Sequence, residues 1–327
     1  MTARVLVTGG AGYIGSVVAD QLLTRGHDVV VLDDLSTGHR EAVPAGVTFV
    51  HAGIGDRAAV TALFDRHPVD AIVHLAAFAL VAESVANPEK YRANNVAAAR
   101  VLLDAAIAAG VRRFVFSSSC TVYGVPAAVP ISEDSPLAPV SPYGETKLEF
   151  ERVLQEYAGR TQLSSVSLRY FNAAGATDAR GEDHDPESHL IPNVLGVALG
   201  KRAAVDVFGT DYPTPDGTAV RDYIHVEDLA DAHLRALDAA PTGAIALNLG
   251  TGQGTSVRQI VEAARRVTGH PIPTTDRPRR PGDPPALVAA PQRAAAALGW
   301  HPRRSSVDEI LASAWRWHQT HPRGYRT

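Results

Sequence analysis

The tightest constraint on this chain lies in its first fifteen residues. An apolar run, Val5-Leu6-Val7, passes directly into Thr8-Gly9-Gly10-Ala11-Gly12-Tyr13-Ile14-Gly15. Glycines three apart at the start of a helix have mechanical roles. Gly9 permits a tight turn, Gly12 lets backbone approach a ligand, and Gly15 lets the helix lie close to the strand. The free N–H groups of the helix N-terminus then suit an anion such as a pyrophosphate. A glycine-rich turn also serves purely structural ends, so its reading depends on the residues downstream of it.

A strand–helix alternation occupies those residues. Segments 29–32, 47–50, 71–75 and 114–116 read as short buried strands, separated by helical patterns at 12–27, 56–66 and an Ala-rich 89–109. Helix 142–159 leads to another strand at 165–169. This spacing predicts an α/β fold, a doubly wound parallel sheet with helices on both faces. The texture changes after about residue 175. Segment 178–188 is polar, 212–217 is turn-rich, and 271–285 is dense in Pro and Arg. We expect a first domain over 1–175, rejoined by 221–248, and a smaller discontinuous α/β lobe over 176–327, folded onto the carboxyl edge of the sheet. Segment 226–240 reads as a helix returning to the first domain.

Composition narrows the partners. A net charge of -4 with no polybasic run argues against nucleic acid or an anionic membrane. No apolar run approaches about 20 residues, and the N-terminus enters a strand without a leader-like segment. The expectation is a cytoplasmic chain with no membrane span. The single cysteine, Cys120, excludes an internal disulfide framework and a multi-cysteine zinc site, and no metal is expected.

Three further patterns carry chemistry. Asp33 and Asp34 end the second strand, where a carboxylate accepts ribose hydroxyls and repels a 2′-phosphate; a solvated acid pair is the alternative. Leu75, Ala76 and Ala77 follow the fourth strand with small side chains, which suit a flat ligand or tight packing equally. Ser117, Ser118 and Ser119 end the fifth strand at the carboxyl edge. Just beyond, Tyr143 and Lys147 stand four apart and so share a helix face. An ammonium beside a phenol favours the phenolate, which turns a weak acid into a usable base. Lys147 is one of three lysines in the chain, with Lys90 and Lys201.

Taken together, these motifs resemble the extended short-chain dehydrogenase/reductases of Rossmann type, and most closely the UDP-glucose 4-epimerase family. The resemblance runs through Val-Thr-Gly-Gly-Ala-Gly-Tyr-Ile-Gly, Asn94-Asn95-Val96, Ser-Ser-Ser-Cys-Thr-Val-Tyr-Gly, Ser-Pro-Tyr-Gly-Glu-Thr-Lys and Leu168-Arg169-Tyr170-Phe171-Asn172. Its most specific part spans Phe208 to Val226, with Arg279-Arg280-Pro281-Gly282-Asp283 further on. The resemblance implies NAD as cofactor and a UDP-sugar as substrate. It implies Tyr143 as acid/base, Lys147 as the group that lowers its pKa and holds the nicotinamide ribose, and Ser119 as the partner of the sugar O4. The cofactor side would comprise Gly9, Gly12, Tyr13, Ile14, Gly15, Asp33, Asp34, Ile54, Leu75, Ala76, Ala77, Asn94, Ser117, Tyr143, Lys147 and Tyr170. The substrate side would comprise Ser119, Tyr143, Asn172, His189, Leu190, Phe208, Arg221, Arg280, Asp283 and Leu287. The implied reaction moves a hydride from C4 to the cofactor and back to the opposite face of a 4-keto sugar. A homodimer through 89–109 and 145–159 is implied as well.

Three positions depart from the family pattern. Gly53 stands where an Asp toward the adenine is expected, and Ala79 where a Lys is expected; both predict looser NAD retention. Leu287 is intermediate between the large and small residues that gate the sugar C2 substituent. It leaves UDP-glucose, UDP-N-acetylglucosamine and a specialised, uronate or pentose sugar open. A nucleotide-sugar dehydratase would carry Asp-Glu where Cys120-Thr121 stands, and a non-catalytic NAD-binding module would need no Tyr143, Lys147 and Ser119 together. Cys120 itself reads as a small buried group.

Overall fold

The structure, a computed structural model, describes residues 2–239, 241–280 and 282–326. The first half alternates β1 (Arg4–Thr8), α1 (Tyr13–Thr24), β2 (Asp28–Asp33), β3 (Thr48–His51), α2 (Arg57–Arg66) and β4 (Ala71–His74). Then come α3 (Val81–Ala86), α4 (Pro88–Arg92), a π-helical turn over Ala93–Ala98, α5 (Ala99–Ala108), β5 (Arg113–Ser119), α6 (Pro142–Arg160) and β6 (Ser164–Tyr170). The second half contains β7 (Asn172–Ala174), α7 (Leu190–Ala198), β8 (Val205–Phe208), β9 (Val220–Arg221), β10 (Tyr223–His225) and α8 (Val226–Ala239). It closes with β11 (Ala244–Leu249), β12 (Thr255–Ser256), α9 (Val257–Thr268), β13 (Thr274–Arg277), β14 (Ala286–Leu287), α10 (Gln292–Leu298) and α11 (Val307–Thr320).

Seven strands form one sheet in the order β11-β6-β5-β4-β1-β2-β3, every neighbouring pair parallel. Both faces are covered, which explains the unbroken apolar runs: Val29 to Leu32 and Val5 to Val7 are almost wholly buried. One face packs α1 and α8 against the sheet, with Val17, Leu22, Leu229 and Leu237 in its core. The other packs α2, α5 and α6, with Leu63, Leu102, Phe114 and Phe150. After β3 the chain crosses back to place β4 beside β1. Carboxyl strand ends diverge at that switch point, and ligands of this architecture bind there.

The expected single helix over 89–109 is broken. Its middle widens to the π-helical turn, and Asn95 inside that turn is buried. Its side chain bonds both backbone groups of Phe78, at 2.9 and 3.0 Å, and Thr146 Oγ1 of α6 at 3.3 Å. Those bonds satisfy a buried amide that a regular helix would strand, and such turns cluster at functional sites. The Ala99/Leu102/Leu103/Ala106 face of α5 is buried within the chain itself. Short strands build the second half: β10 with β7, β12-β9-β14, and β13 with β8. Their separate core joins α7, α9 and α11 through Leu195, Ile260 and Leu311. Among the described residues, no helix is long and apolar enough to cross a membrane.

Candidate active site

The glycine turn is spatially saturated. Gly9 has φ +72°, and a Cβ on it would meet the Ala76 backbone nitrogen at 2.7 Å. A Cβ on Gly15 would meet the Gly9 carbonyl oxygen at 2.1 Å, so side chains at either position would push the helix and the strand ends apart. Gly12 is the N-cap of α1 with no side-chain cap, which leaves the first-turn N–H groups without a side-chain acceptor. Asp33 braces this turn: its carboxylate accepts from the N–H of Ala11 at 2.9 Å and of Leu35 at 2.8 Å. Burial pushes Asp33 up, and those two backbone bonds oppose it. Ile54 is buried nearby in the sheet core, and Leu75, Ala76 and Ala77 line the turn after β4. Tyr13 donates its hydroxyl to the Gly175 carbonyl at 2.6 Å, tying α1 to the second half.

The departures at 53 and 79 have local counterparts. A Cβ at Gly53 would lie 3.9 Å from the Asp34 carboxylate, so a carboxylate already stands beside that position. Ala79 is exposed, but Lys90 Nζ sits 4.2 Å over the ring of the preceding Phe78. That cation is held by Glu83 at 2.5 Å.

At the carboxyl end of β5 the polar groups converge. Ser141 caps α6 by accepting from Gly144 N–H, and Pro142 opens its first turn, which fixes how Tyr143 and Lys147 enter the cleft. Lys147 is buried and donates to the Ser117 carbonyl at 2.7 Å. Its Nζ is 5.6 Å from the centre of the Tyr143 ring. The Ser117 hydroxyl shares a short hydrogen bond with the Tyr170 phenol. Ser119 accepts from Thr121 N–H at 3.2 Å and from its hydroxyl at 3.0 Å, capping the next turn of the chain. Asn94 lies on the π-helical turn and donates to Asn95 at 3.1 Å.

Electrostatics here run against charge. Burial pulls Lys147 down to about 7, with Glu151 opposing. Burial pushes Tyr143 well up, Tyr170 adds to the rise, and the Ser119 hydroxyl pulls the other way. The Lys147 ammonium donates to the Ser117 carbonyl, and dry surroundings dominate the phenol. Behind these groups Glu151 accepts from Ser118 Oγ at 2.5 Å and from Arg169 Nε at 2.9 Å. Arg169 also donates to Tyr123, whose hydroxyl donates to Asn248 at 2.7 Å. This buried network stitches β5, α6, β6 and β11 together. Sequence reasoning missed it, as it missed Asn95, because its members lie far apart in the chain. Cys120 is buried and its thiol is pushed up to about 12, first by burial, so it stays protonated.

Across the cleft, β7 extends from β6 and holds Asn172, whose N–H donates to the Asp222 carbonyl at 3.0 Å. Arg221 on β9 donates to Asp283 at 2.5 Å, and Leu287 on β14 is its register neighbour. Leu287 packs into one apolar cluster with Cys120, Tyr123 and Phe171, directly after Ser119. Phe208 ends β8 with the Arg280 guanidinium 4.1 Å over its ring. Leu190 opens α7, with His189 as the residue before it. The His189 Nδ1 is engaged elsewhere, 2.8 Å from Glu182 and 2.9 Å from Glu187.

Known proteins are similar to this chain in both sequence and fold. The sequence profile of the NAD dependent epimerase/dehydratase family matches residues 5–250. A "UDP-glucose 4-epimerase" of Streptomyces lividans is 51% identical over 327 residues, 99% of each chain. The solved structure of UDP-glucose 4-epimerase from Brucella ovis in complex with NAD superimposes with a TM-score of 0.93 at 47% identity, covering 96% of this chain and 98% of that one. The one from Stenotrophomonas maltophila, with bound NAD and formylated UDP-arabinopyranose, gives a TM-score of 0.95 at 40% identity, covering 98% and 99%.

Proposed function

The chain belongs to the NAD dependent epimerase/dehydratase family, and from that premise we propose that it is a UDP-glucose 4-epimerase, an isomerase that interconverts UDP-glucose and UDP-galactose. The observation that carries the reading is the convergence of Ser119, Tyr143 and Lys147 at the sheet edge whose switch point holds the glycine turn. The saturated packing at Gly9 and Gly15 fits a pyrophosphate cradle made of backbone. Gly9, Gly12, Tyr13, Ile14 and Gly15 would hold that pyrophosphate. Asp33, Asp34 and Ile54 would face the adenosine, with Leu75, Ala76 and Ala77 along the middle. Asn94, Ser117, Tyr143, Lys147 and Tyr170 would surround the nicotinamide end. Bound there, NAD would supply reversible hydride chemistry at the sugar C4.

The protein's own task is to move one proton and to hold one sugar. The Tyr143 hydroxyl oxygen takes the O4 proton and later gives it back, with Ser119 sharing that hydrogen bond. A phenol this dry needs a nearby positive charge to ionise, and Lys147 supplies one from within the chain. Its low pKa also keeps the ammonium responsive to the charge of what binds beside it. Arg221 and Arg280 would grip the diphosphate, guanidinium forks matching phosphate oxygens, with Asp283 orienting Arg221. Phe208, Leu190, His189 and Asn172 would frame the nucleoside and sugar, and Leu287 would face the C2 substituent. Residues 1–175 with 221–248 form the cofactor half in this reading, and the rest the sugar-nucleotide half. A second copy of the chain would pair through the outer faces of 89–109 and 145–159, which light scattering at graded concentrations tests.

The test is parallel incubation with UDP-glucose and UDP-N-acetylglucosamine, with and without added NAD, read by proton NMR. Inversion at C4 of UDP-glucose is the expected result; no inversion of either sugar overturns the reading.

A further inference from the structure

One cluster of titratable groups lies away from the acid/base edge and shares only His189 with the sugar-nucleotide half. Glu182, His184, Glu187 and His189 fall within eight residues of the loop between β7 and α7, in the spacing Glu-x-His-x-x-Glu-x-His. One donor atom from each side chain lies within 4.8 Å of every other. Glu182 is almost fully buried, and Glu187 is largely so. The His184 Nδ1 stands 3.3 Å from Glu182 and 3.6 Å from Glu187. That nitrogen is buried and makes no hydrogen bond. The His189 Nδ1 has one Glu182 oxygen at 2.8 Å and one Glu187 oxygen at 2.9 Å, so a single N–H would have to serve two carboxylates.

We propose that these four side chains form a binding site for one divalent cation of zinc type. The geometry is that of a ligand shell. Zinc–nitrogen and zinc–oxygen bonds of about 2.0–2.2 Å put tetrahedral ligand atoms roughly 3.3–3.6 Å apart. The imidazole–carboxylate separations of 2.8–3.6 Å bracket that edge with little movement. Charge balances too, because two carboxylates neutralise a dication while both imidazoles bind neutral. Each histidine would coordinate through Nδ1 and keep its proton on Nε2. Two nitrogen ligands in four favour zinc over magnesium or calcium, which take oxygen shells.

The site has a structural reach. The His184 ring packs edge-on to Tyr13 of the glycine turn, with ring centres 6.4 Å apart. Asp183, between two ligands, accepts from the backbone N–H of Tyr325 near the C-terminus at 2.9 Å. His189 leads directly into α7. A cation there would fasten the cofactor turn, the 178–189 loop and the C-terminal tail to one point.

The test uses untagged full-length protein, stripped with chelator and then titrated with Zn2+ by calorimetry and with Co2+ by visible absorption. The expected result is one equivalent of Zn2+, a Co2+ spectrum with the strong bands of a tetrahedral site, and no competition from excess Mg2+. Glu187→Gln and His184→Ala, prepared separately, should each weaken Zn2+ by about tenfold or more. Circular dichroism and NAD content check that each variant is folded, and the second variant stands in if the first is not. Zn2+ should also raise the melting temperature of the native chain and not that of the variants. Absence of one-to-one binding, or binding undiminished in both folded variants, overturns the proposal.

Discussion

Two clusters of ionisable residues in this molecule leave their ordinary pKa values in opposite directions, one with and one without counter-charges of its own. At the β5/α6 edge, Lys147 falls to about 7 and His74 to about 3, while Tyr143 rises; burial dominates each. In the 182–189 loop burial also opposes charge, yet the Glu182 and Glu187 carboxylates overcome it. They lift His184 to about 9 and His189 to about 10, and both carboxylates are held below their usual range. The loop carries its counter-charges within itself. The β5/α6 edge does not, apart from the Glu151 carboxylate one turn beyond Lys147, which is already paired with Arg169. Desolvation without an internal counter-charge leaves a group ready to respond to the charge of a ligand, and that is what a reversible acid/base needs.

The largest effects are expected on the catalytic side of this contrast. Tyr143→Phe should lower turnover by about 10²- to 10⁴-fold while bound NAD, measured after heat release, stays as in the native chain. Loss of NAD along with turnover would make the residue a structural support. Lys147→Met should lower turnover by about 10²-fold and should shift the alkaline-favoured limb of the pH–rate profile upward, because the phenol loses a neighbouring positive charge. An unmoved profile would remove Lys147 from the proton's path. Leu287→Tyr should reduce turnover of UDP-N-acetylglucosamine relative to UDP-glucose by about tenfold or more, read as the ratio of kcat/KM values. Native protein should release less than one NAD per chain, and Ala79→Lys should raise that occupancy; full native occupancy would show that Asp34 and Lys90 make up for both departures.

The smallest effect separates the two groups by sign. Lys147 has a folded pKa below its unfolded one, so the unfolded chain binds more protons between about pH 7 and 10.5. Its contribution to stability therefore rises with pH across that window. His184 and His189 are raised, so their contribution is fully present below about pH 6.5 and is lost as pH climbs through about 9 to 10. Urea melts of chelator-stripped protein from pH 7 to 10 should show Lys147→Met removing a rising slope and Glu187→Gln a falling one. The change for the latter is on the order of 1 kcal/mol, since part of the cluster meets solvent. Slopes of the same sign in both variants would dissolve the distinction.

Much of this was legible in the sequence because it is local. The strands at 29–32 and 71–75 and the helix at 142–159 arise from apolar runs, the Ser141-Pro142 cap and the glycine turn, and each sits within a residue or two of its expected place. The π-helical turn was not legible, because the pull on Asn95 comes from Phe78 and Thr146. Two-residue strands such as β9, β12 and β14 carry no periodicity to read. Arg221 and Asp283 looked like separate candidates and are one ion pair across 62 positions. The 178–188 stretch read as polar loop, although its Glu-x-His-x-x-Glu-x-His spacing was a signal available from the start.

The hydrogen at C4 of the sugar tests the proposed chemistry most directly. UDP-glucose carrying deuterium at that carbon should give UDP-galactose in which the label stays at C4, inverted and undiluted, since Tyr143 exchanges only the O4 proton. UDP-galactose that has lost the label to water, or no UDP-galactose at all, would contradict it.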